Sequence, residues 1–260
     1  MKRYNTIIVE KKEGIGYLTL NRPEVFNAIS QELIDEVRDA LAMIDKDEEI
    51  RVLIITGAGK GFQAGADIKE LSKMGPIDIL RWNEGVVRIN AALEKLRQPV
   101  IAAINGLAMG GGLELAISCS LRIIAEGAKL ALPEVKLGII PGTGGTQRLP
   151  RLIGKGRAYE LLLTGKAIDA EEAYRIGLVN KVVPKGEVVK AAEEMAGKIM
   201  ENGPIAIELC KDAVEIGMDL PIEQAVQYSQ KNCITCFSTE DMKEGTSAFI
   251  EKRKPNFKGK

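Results

Sequence analysis

The chemistry open to this chain is limited first by a missing residue type: none of its 260 residues is histidine. Ser-His-Asp and Cys-His catalysis, imidazole bases and zinc sites that need His are excluded. Proton transfer in an enzyme of this composition falls to carboxylates, Lys, Tyr, Cys or water. Gly110-Gly111-Gly112 is the next feature to weigh. It follows an apolar run over residues 99–104 and opens a helical stretch, so unpaired backbone N–H groups point at whatever lies above that edge. Glu114 stands on the first turn of the same helix. Two readings are open. Glycine there can serve a tight strand-to-helix turn, with Glu114 complementing the helix dipole; or the corner can stabilise an anion beside an acid.

The other chemical motifs fall away. Gly57-Ala58-Gly59-Lys60-Gly61 sits where a phosphate loop would, but Lys60 precedes Gly61 rather than Ser or Thr, and the four-residue spacing is absent. No G-x-G-x-x-G follows the first strand, and Gly142-Thr143-Gly144-Gly145 comes late in the chain. Nicotinamide and ATP enzymes are poor fits. Cys233-x-x-Cys236 has redox or metal spacing, yet Cys119 and Cys210 are distant in sequence and no His completes a set, so four ordinary reduced thiols are expected. Lys+Arg and Asp+Glu both number 36, giving zero net charge. That argues against a nucleic-acid or membrane-surface partner. No apolar run is long enough to span a membrane, and Glu10 interrupts any leader-like segment; a cytoplasmic protein is expected.

These residues need elements to hold them. The length suggests one or two domains with a sizeable core. The segments 7–9 and 15–20 read as a hairpin closed by the Asn21-Arg22-Pro23 turn. Ser30 is placed to cap a helix carrying Leu33, Ile34, Val37, Leu41 and Ile44 on one face. Residues 51–56, 99–104 and 121–125 are short apolar runs suited to buried strands. A helix after Pro76 carries Ile79, Leu80, Val86, Val87, Ile89 and Leu93. The alternation says α/β. Beyond Pro141 helices take over. Asp169-x-x-Glu172 resembles a capping box, Gly177 a helix stop, and helical patterns run over 185–201, 204–218, 221–232 and 239–253.

Against this background, residues 101–116, Ile-Ala-Ala-Ile-Asn-Gly-Leu-Ala-Met-Gly-Gly-Gly-Leu-Glu-Leu-Ala, closely resemble the signature of the enoyl-CoA hydratase (crotonase) family. Phe62-Gln63-Ala64-Gly65-Ala66-Asp67-Ile68-Lys69, Leu132-Pro133-Glu134-Val135-Lys136-Leu137-Gly138, and residues 141–149 match the same family in order. Asn21-Arg22-Pro23 with Asn27-Ala28, and the stretch 248–254, extend the match over nearly the whole chain. The resemblance implies a crotonase-like core of stacked ββα turns with a helical C-terminal region. It divides the chain into an α/β core over 1–198 and a C-terminal helical trimerisation region over 199–260. It also implies a homotrimer or a homohexamer built as a dimer of trimers, and an acyl-CoA thioester substrate, with no cofactor beyond the CoA that the substrate carries.

By the same resemblance, the backbone N–H groups of Ala66 and Gly111 hold the thioester oxygen. Negative charge develops on that oxygen when water adds to an unsaturated thioester, and two preorganised donors stabilise it where it forms. Glu114 and Glu134 match the two hydratase glutamates: Glu114 to hold and activate water, Glu134 to exchange the α-proton. Ala64, Asp67, Ile68 and Lys69 match positions lining CoA, although an acid such as Asp67 also suits loop shaping. Lys252 matches a lysine that reaches CoA from a neighbouring subunit, and a basic helix end explains it nearly as well. Three positions depart from the pattern: Glu24 stands where many relatives carry lysine, Leu132 where many have glutamine, and Ser120 where aspartate is frequent. The expected reaction is reversible hydration of short-chain 2-enoyl-CoA, as part of fatty-acid metabolism. Isomerisation, hydrolysis or decarboxylation on the same scaffold is the alternative, and an RNA-binding or scaffolding role is the alternative of another class.

Overall fold

The computed structural model describes residues 3–260; Met1 and Lys2, where the segment read for a leader begins, lie outside the described residues. Strands β1 (Ile7–Lys12) and β2 (Ile15–Leu20) form the expected antiparallel hairpin. The turn between them is Glu13-Gly14, not Asn21-Arg22-Pro23. Both turn residues have positive φ (51° and 81°), the geometry that matches strand twist in two-residue hairpins. Arg22-Pro23 leads instead into a short 3-10 turn, Pro23–Val25.

Eight further strands follow among the described residues: β3 (Val52–Gly57), β4 (Gly61–Gln63), β5 (Val100–Ile104), β6 (Leu107–Met109), β7 (Leu121–Ala125), β8 (Lys129–Ala131), β9 (Ile168–Asp169) and β10 (Lys181–Val183). The larger sheet has the order β1-β2-β3-β5-β7-β10 and is parallel from β2 onward. A smaller sheet has the order β4-β6-β8-β9, with β4, β6 and β8 parallel. Strands β3, β5 and β7 of the larger sheet are each followed by a short strand of the second sheet. Successive pairs, β3-β4, β5-β6 and β7-β8, are the stacked turns the family resemblance implies.

Both faces of the larger sheet are covered at its central strands β3 and β5, which explains why those two read as near-continuous apolar runs. Leu53, Ile55, Val100, Ala102 and Ile104 face one core, shared with α1 (Gln31–Lys46) and α3 (Pro76–Lys95). Val52, Ile54, Ile101, Ala103 and Ile123 face the other, covered by α8 (Val188–Met200) through Val188, Ala191, Ala192 and Ala196. Ser30 caps α1 by accepting from Leu33 N–H (3.3 Å), and the five residues assigned to its face are all buried. The stripe read on α3 is only partly right: Ile89 and Leu93 are buried, but Leu80 and Val87 are exposed.

Between the sheets and the C-terminus lie α2 (Ile68–Leu71), α4 (Gly111–Ile117), α5 (Gly145–Ile153), α6 (Lys155–Thr164) and α7 (Ala170–Arg175). Asp169 caps α7 through Glu172 N–H (2.9 Å), but the Glu172 side chain pairs with Arg175 rather than returning to the cap, so the box is half formed. The chain ends in α9 (Pro204–Gly217), α10 (Ile222–Phe237) and α11 (Glu240–Glu251). Neither α9 nor α10 buries a single residue within the chain, whereas Ile222, Ile234, Phe237, Phe249 and Ile250 stand exposed.

Candidate active site

Three loops leave the same end of three adjacent parallel strands. Ala66 lies three residues beyond β4, Gly111 two beyond β6 and Glu134 three beyond β8. Strand order β4-β6-β8 therefore sets these positions side by side, though they are far apart in sequence. Gly110 N–H donates to Ala131 O (2.9 Å), which ties the second loop to the third strand. A Cβ on Gly65 would stand 2.7 Å from Met109 O and 3.4 Å from Gly111 N, so the first loop presses against the second at a residue with φ +89°. Only glycine accepts both the approach and the dihedral.

The orientation of Ala66 follows from its neighbours. Ile29 N–H donates to Gly65 O (2.8 Å) and Asp67 N–H donates to Ile29 O (3.1 Å), a parallel bridge centred on Ala66. The Ala66 N–H is thereby turned away from Ile29. Gly111 N–H is an opening donor of α4 and has no partner inside the helix. Among the described residues, neither group donates to a protein acceptor. A small cavity against Gly111 is lined mostly by apolar side chains, Leu20, Ile29, Val86, Ile89 and Leu115 among them, with Gln63 the polar member. In a mostly apolar medium an unpartnered N–H dipole acts strongly on an anion.

The two carboxylates are held in opposite ways. Glu114, on the first turn of α4, is 2% exposed, and every donor it has comes from one loop. Its Oε1 accepts from Thr143 N–H (2.9 Å) and Gly145 N–H (2.8 Å), and its Oε2 from the Thr143 hydroxyl (2.5 Å). Gly145 is the first residue of α5, so the positive end of that helix faces the carboxylate. Glu134 opens a 3-10 turn, Glu134–Leu137, and is half-buried; its Oε2 is buried with no hydrogen-bond partner among the described residues. Burial, and then the Glu114 charge, push its carboxyl up to about 7.

The remaining positions are less alike. Ala64 N–H donates to Phe26 O (2.9 Å), within the same loop cluster. Asp67 accepts from Lys69 N–H (3.0 Å) and caps α2, which is the loop-shaping role its type suggested. Ile68 and Lys69 are exposed on α2. Lys252 belongs to another part of the fold, ending α11 in a left-handed conformation (φ 56°). Of the departures, Leu132 is buried, with its Cδ1 3.0 Å from where a Cβ on Gly145 would sit, so it lines the loop around Glu114. Ser120 accepts from Val100 N–H (3.3 Å), and Glu24 is exposed. All four thiols are free, and of them only Cys119 is buried. No group of His, Cys, Asp and Glu suited to a metal ion occurs among the described residues.

The cradle formed by Thr143 and Gly145 was not read from the sequence. In sequence Gly142-Thr143-Gly144-Gly145 reads as a poor nucleotide loop and as part of the 141–149 family match, neither of which gives its N–H groups a role; its glycines and helix start are the features that offer those groups to a carboxylate from within the protein.

The chain has counterparts among known proteins. A family model described as "Enoyl-CoA hydratase/isomerase" matches residues 10–260. The chain is 45% identical over 255 residues to the crotonyl-CoA hydratase of Syntrophomonas wolfei, covering 98% of each chain. It is 45% identical over 251 residues to the short-chain-enoyl-CoA hydratase of Clostridium acetobutylicum, covering 96% of each. The crystal structure of an enoyl-CoA hydratase from Bacillus anthracis superposes with a TM-score of 0.96 at 44% identity, over 98% of this chain and all of that one. The chain belongs to the enoyl-CoA hydratase/isomerase family.

Proposed function

We propose that the protein adds water reversibly across the double bond of short-chain trans-2-enoyl-CoA thioesters, crotonyl-CoA to 3-hydroxybutyryl-CoA being the type reaction. The observation that carries this reading is the pairing of two unlike carboxylates with two unpartnered N–H groups at adjacent strand ends. The Ala66 and Gly111 N–H groups receive the thioester oxygen and its growing negative charge. Glu114, fixed by its three donors, takes a proton from water as the oxygen bonds to Cβ. Glu134, whose raised carboxyl holds a proton near neutrality, delivers it to Cα. One proton leaves Glu134 and one arrives on Glu114, so the pair carries the same number before and after. Two acids suit hydration better than isomerisation, which moves a single proton.

Ala64, Asp67, Ile68 and Lys69 are read as lining the CoA path, with Lys252 serving a neighbouring subunit's CoA. The exposed apolar side chains of residues 199–260 support assembly as a trimer or a dimer of trimers. A cytoplasmic role in fatty-acid or related acyl-CoA metabolism goes with this reading.

The test is the loss of conjugated-thioester absorbance when crotonyl-CoA is added to the purified protein, with 3-hydroxybutyryl-CoA identified by mass. Turnover is expected, from a species that sediments as a multiple of three chains. A protein that binds CoA but leaves crotonyl-CoA unchanged would overturn hydration of this substrate.

A further inference from the structure

Glu114 is gripped by a loop, and the loop is gripped from behind. The Thr143 peptide faces two ways: its N–H and hydroxyl point at Glu114, while its carbonyl accepts from Asn90 Nδ2 (3.0 Å) on α3 and Arg148 Nη1 (3.2 Å) on α5. Arg148 is itself fixed by a bidentate pair with Glu94 on α3, through Nε to Oε1 and Nη2 to Oε2 (2.8 Å). Both partners are largely shielded, with side chains 20% and 29% exposed. A Cβ on Gly144 would fall 1.7 Å from Arg148 Nη1, and Gly144 has φ +118°. The guanidinium thus occupies space that only glycine leaves. The end of α3 that carries Glu94 is held in turn by Lys211 of α9, whose Nζ donates to the carbonyls of Glu94 and Leu96.

We infer that the Glu94–Arg148 pair positions Glu114 for its work on water, by clamping the Thr143 carbonyl so that the three donors stay aimed at the carboxylate. Arg148 and Glu94 are positioning residues: the Arg148 guanidinium touches the Glu114 cradle through the Thr143 carbonyl, and its backbone N–H holds Gly144 O (2.9 Å) beside Gly145, the other donor to Glu114. The planar fork matters because two parallel N–H···O bonds fix direction as well as distance, which a lysine at this place cannot do. The inference rests on the reading of Glu114 given above. It adds that turnover depends on a salt bridge one layer behind the site, whereas CoA binding, assigned to the β4 and β6 loops, does not.

The experiment compares native protein with Glu94→Gln, Arg148→Lys, Thr143→Val and the double variant Arg148→Lys/Thr143→Val, with melting temperature checking that each is folded. For Glu94→Gln and Arg148→Lys, kcat for crotonyl-CoA is expected to fall about 10–100-fold, the scale of a small displacement of a reacting group, with KM changed less than about threefold. Thr143→Val is expected to fall similarly and Thr143→Ser to recover most of the loss. The double variant is expected to lose little more than either single one, because both act through the same carboxylate. Unchanged kcat in folded Glu94→Gln and Arg148→Lys overturns the inference alone, and so do fully additive losses. Native protein that fails to hydrate enoyl-CoA removes the reading of the site and this inference with it.

Discussion

Glu114 and Glu134 are the same residue type, and each stands a few residues beyond a strand of the same small sheet, yet the protein treats them differently. Glu114 is almost wholly buried and accepts three hydrogen bonds, two of them from backbone N–H groups at the start of α5. Glu134 is half-buried, with one oxygen buried and without a hydrogen-bond partner among the described residues. A buried carboxylate without donors sheds its charge by keeping its proton, and a neighbouring negative charge adds to that tendency. The difference teaches that one residue type can be set in two environments, three donors from one loop around Glu114 and burial around Glu134, and the proposed division of proton transfer rests on that contrast.

Replacing either carboxylate is the severest way to break this contrast. Glu114→Gln and Glu134→Gln are each expected to lower crotonyl-CoA turnover about 10²–10⁴-fold, the scale of a positioned acid or base. In native protein, kcat/KM is expected to fall as pH rises through about 7, where Glu134 loses its proton. The same limb must appear in the dehydration of 3-hydroxybutyryl-CoA. Hydration leaves the proton count of the pair unchanged, and the equilibrium constant ties the two kcat/KM values together at every pH. A flat profile between pH 6 and 9 in both directions would remove Glu134 as the donor.

Smaller losses should separate the two sites through the glycines that flank them. A Cβ at Gly110 would lie 3.0 Å from Glu134 Oε1, on a residue with φ +52°; one at Gly145 would lie 3.1 Å from Glu114 Oε1 and 3.0 Å from Leu132 Cδ1. Gly110→Ala carries both crowding and a left-handed dihedral, so it is expected to cost about 1–2 kcal/mol of stability as well as roughly 10²-fold in kcat. Gly145→Ala has only the crowding and is expected to lose about tenfold in kcat with little change in melting temperature. Equal effects on stability would show that the dihedral at Gly110 is not what matters.

The legible parts of the molecule are those governed by local periodicity. The α1 face, the buried strands and the C-terminal helices follow from apolar spacing and caps, and Gly110–Gly112 with Glu114 announces a strand-to-helix corner. The hairpin turn is not legible in sequence, because Glu13-Gly14 lacks the usual Asn or Asp before glycine while Asn21-Arg22-Pro23 carries stronger turn residues. Leu80 and Val87 share the helical spacing of Ile79 and Val86, but nothing in that spacing tells which of two adjacent stripes the protein covers. The cradle of Glu114 lies 29 and 31 residues away in sequence, and Glu94 lies 54 residues from Arg148. Such pairings depend on which strands become neighbours, and β4-β6-β8 are too short to declare themselves from sequence.

A last effect isolates Glu134 from catalysis altogether. Its carboxyl is raised from an ordinary value of 4.5 to about 7 in the folded protein, so between those values the folded state holds a proton that the unfolded chain has released. Stability from this group is therefore fully present below about 4.5 and declines as pH rises to about 7, beyond which the loss is complete. Glu134→Gln removes that dependence. Without ligand, the melting temperature of the variant relative to native protein should climb between pH 4.5 and 7 and then level off. Burial is the larger cause and the Glu114 charge the smaller. The decline should thus persist over a narrower pH range when Glu134 is left in place and Glu114 becomes Gln. If the decline vanished in Glu114→Gln, repulsion between the two acids rather than desolvation would set the Glu134 proton, and the contrast between a furnished and an unfurnished carboxylate would give way to a mutual one.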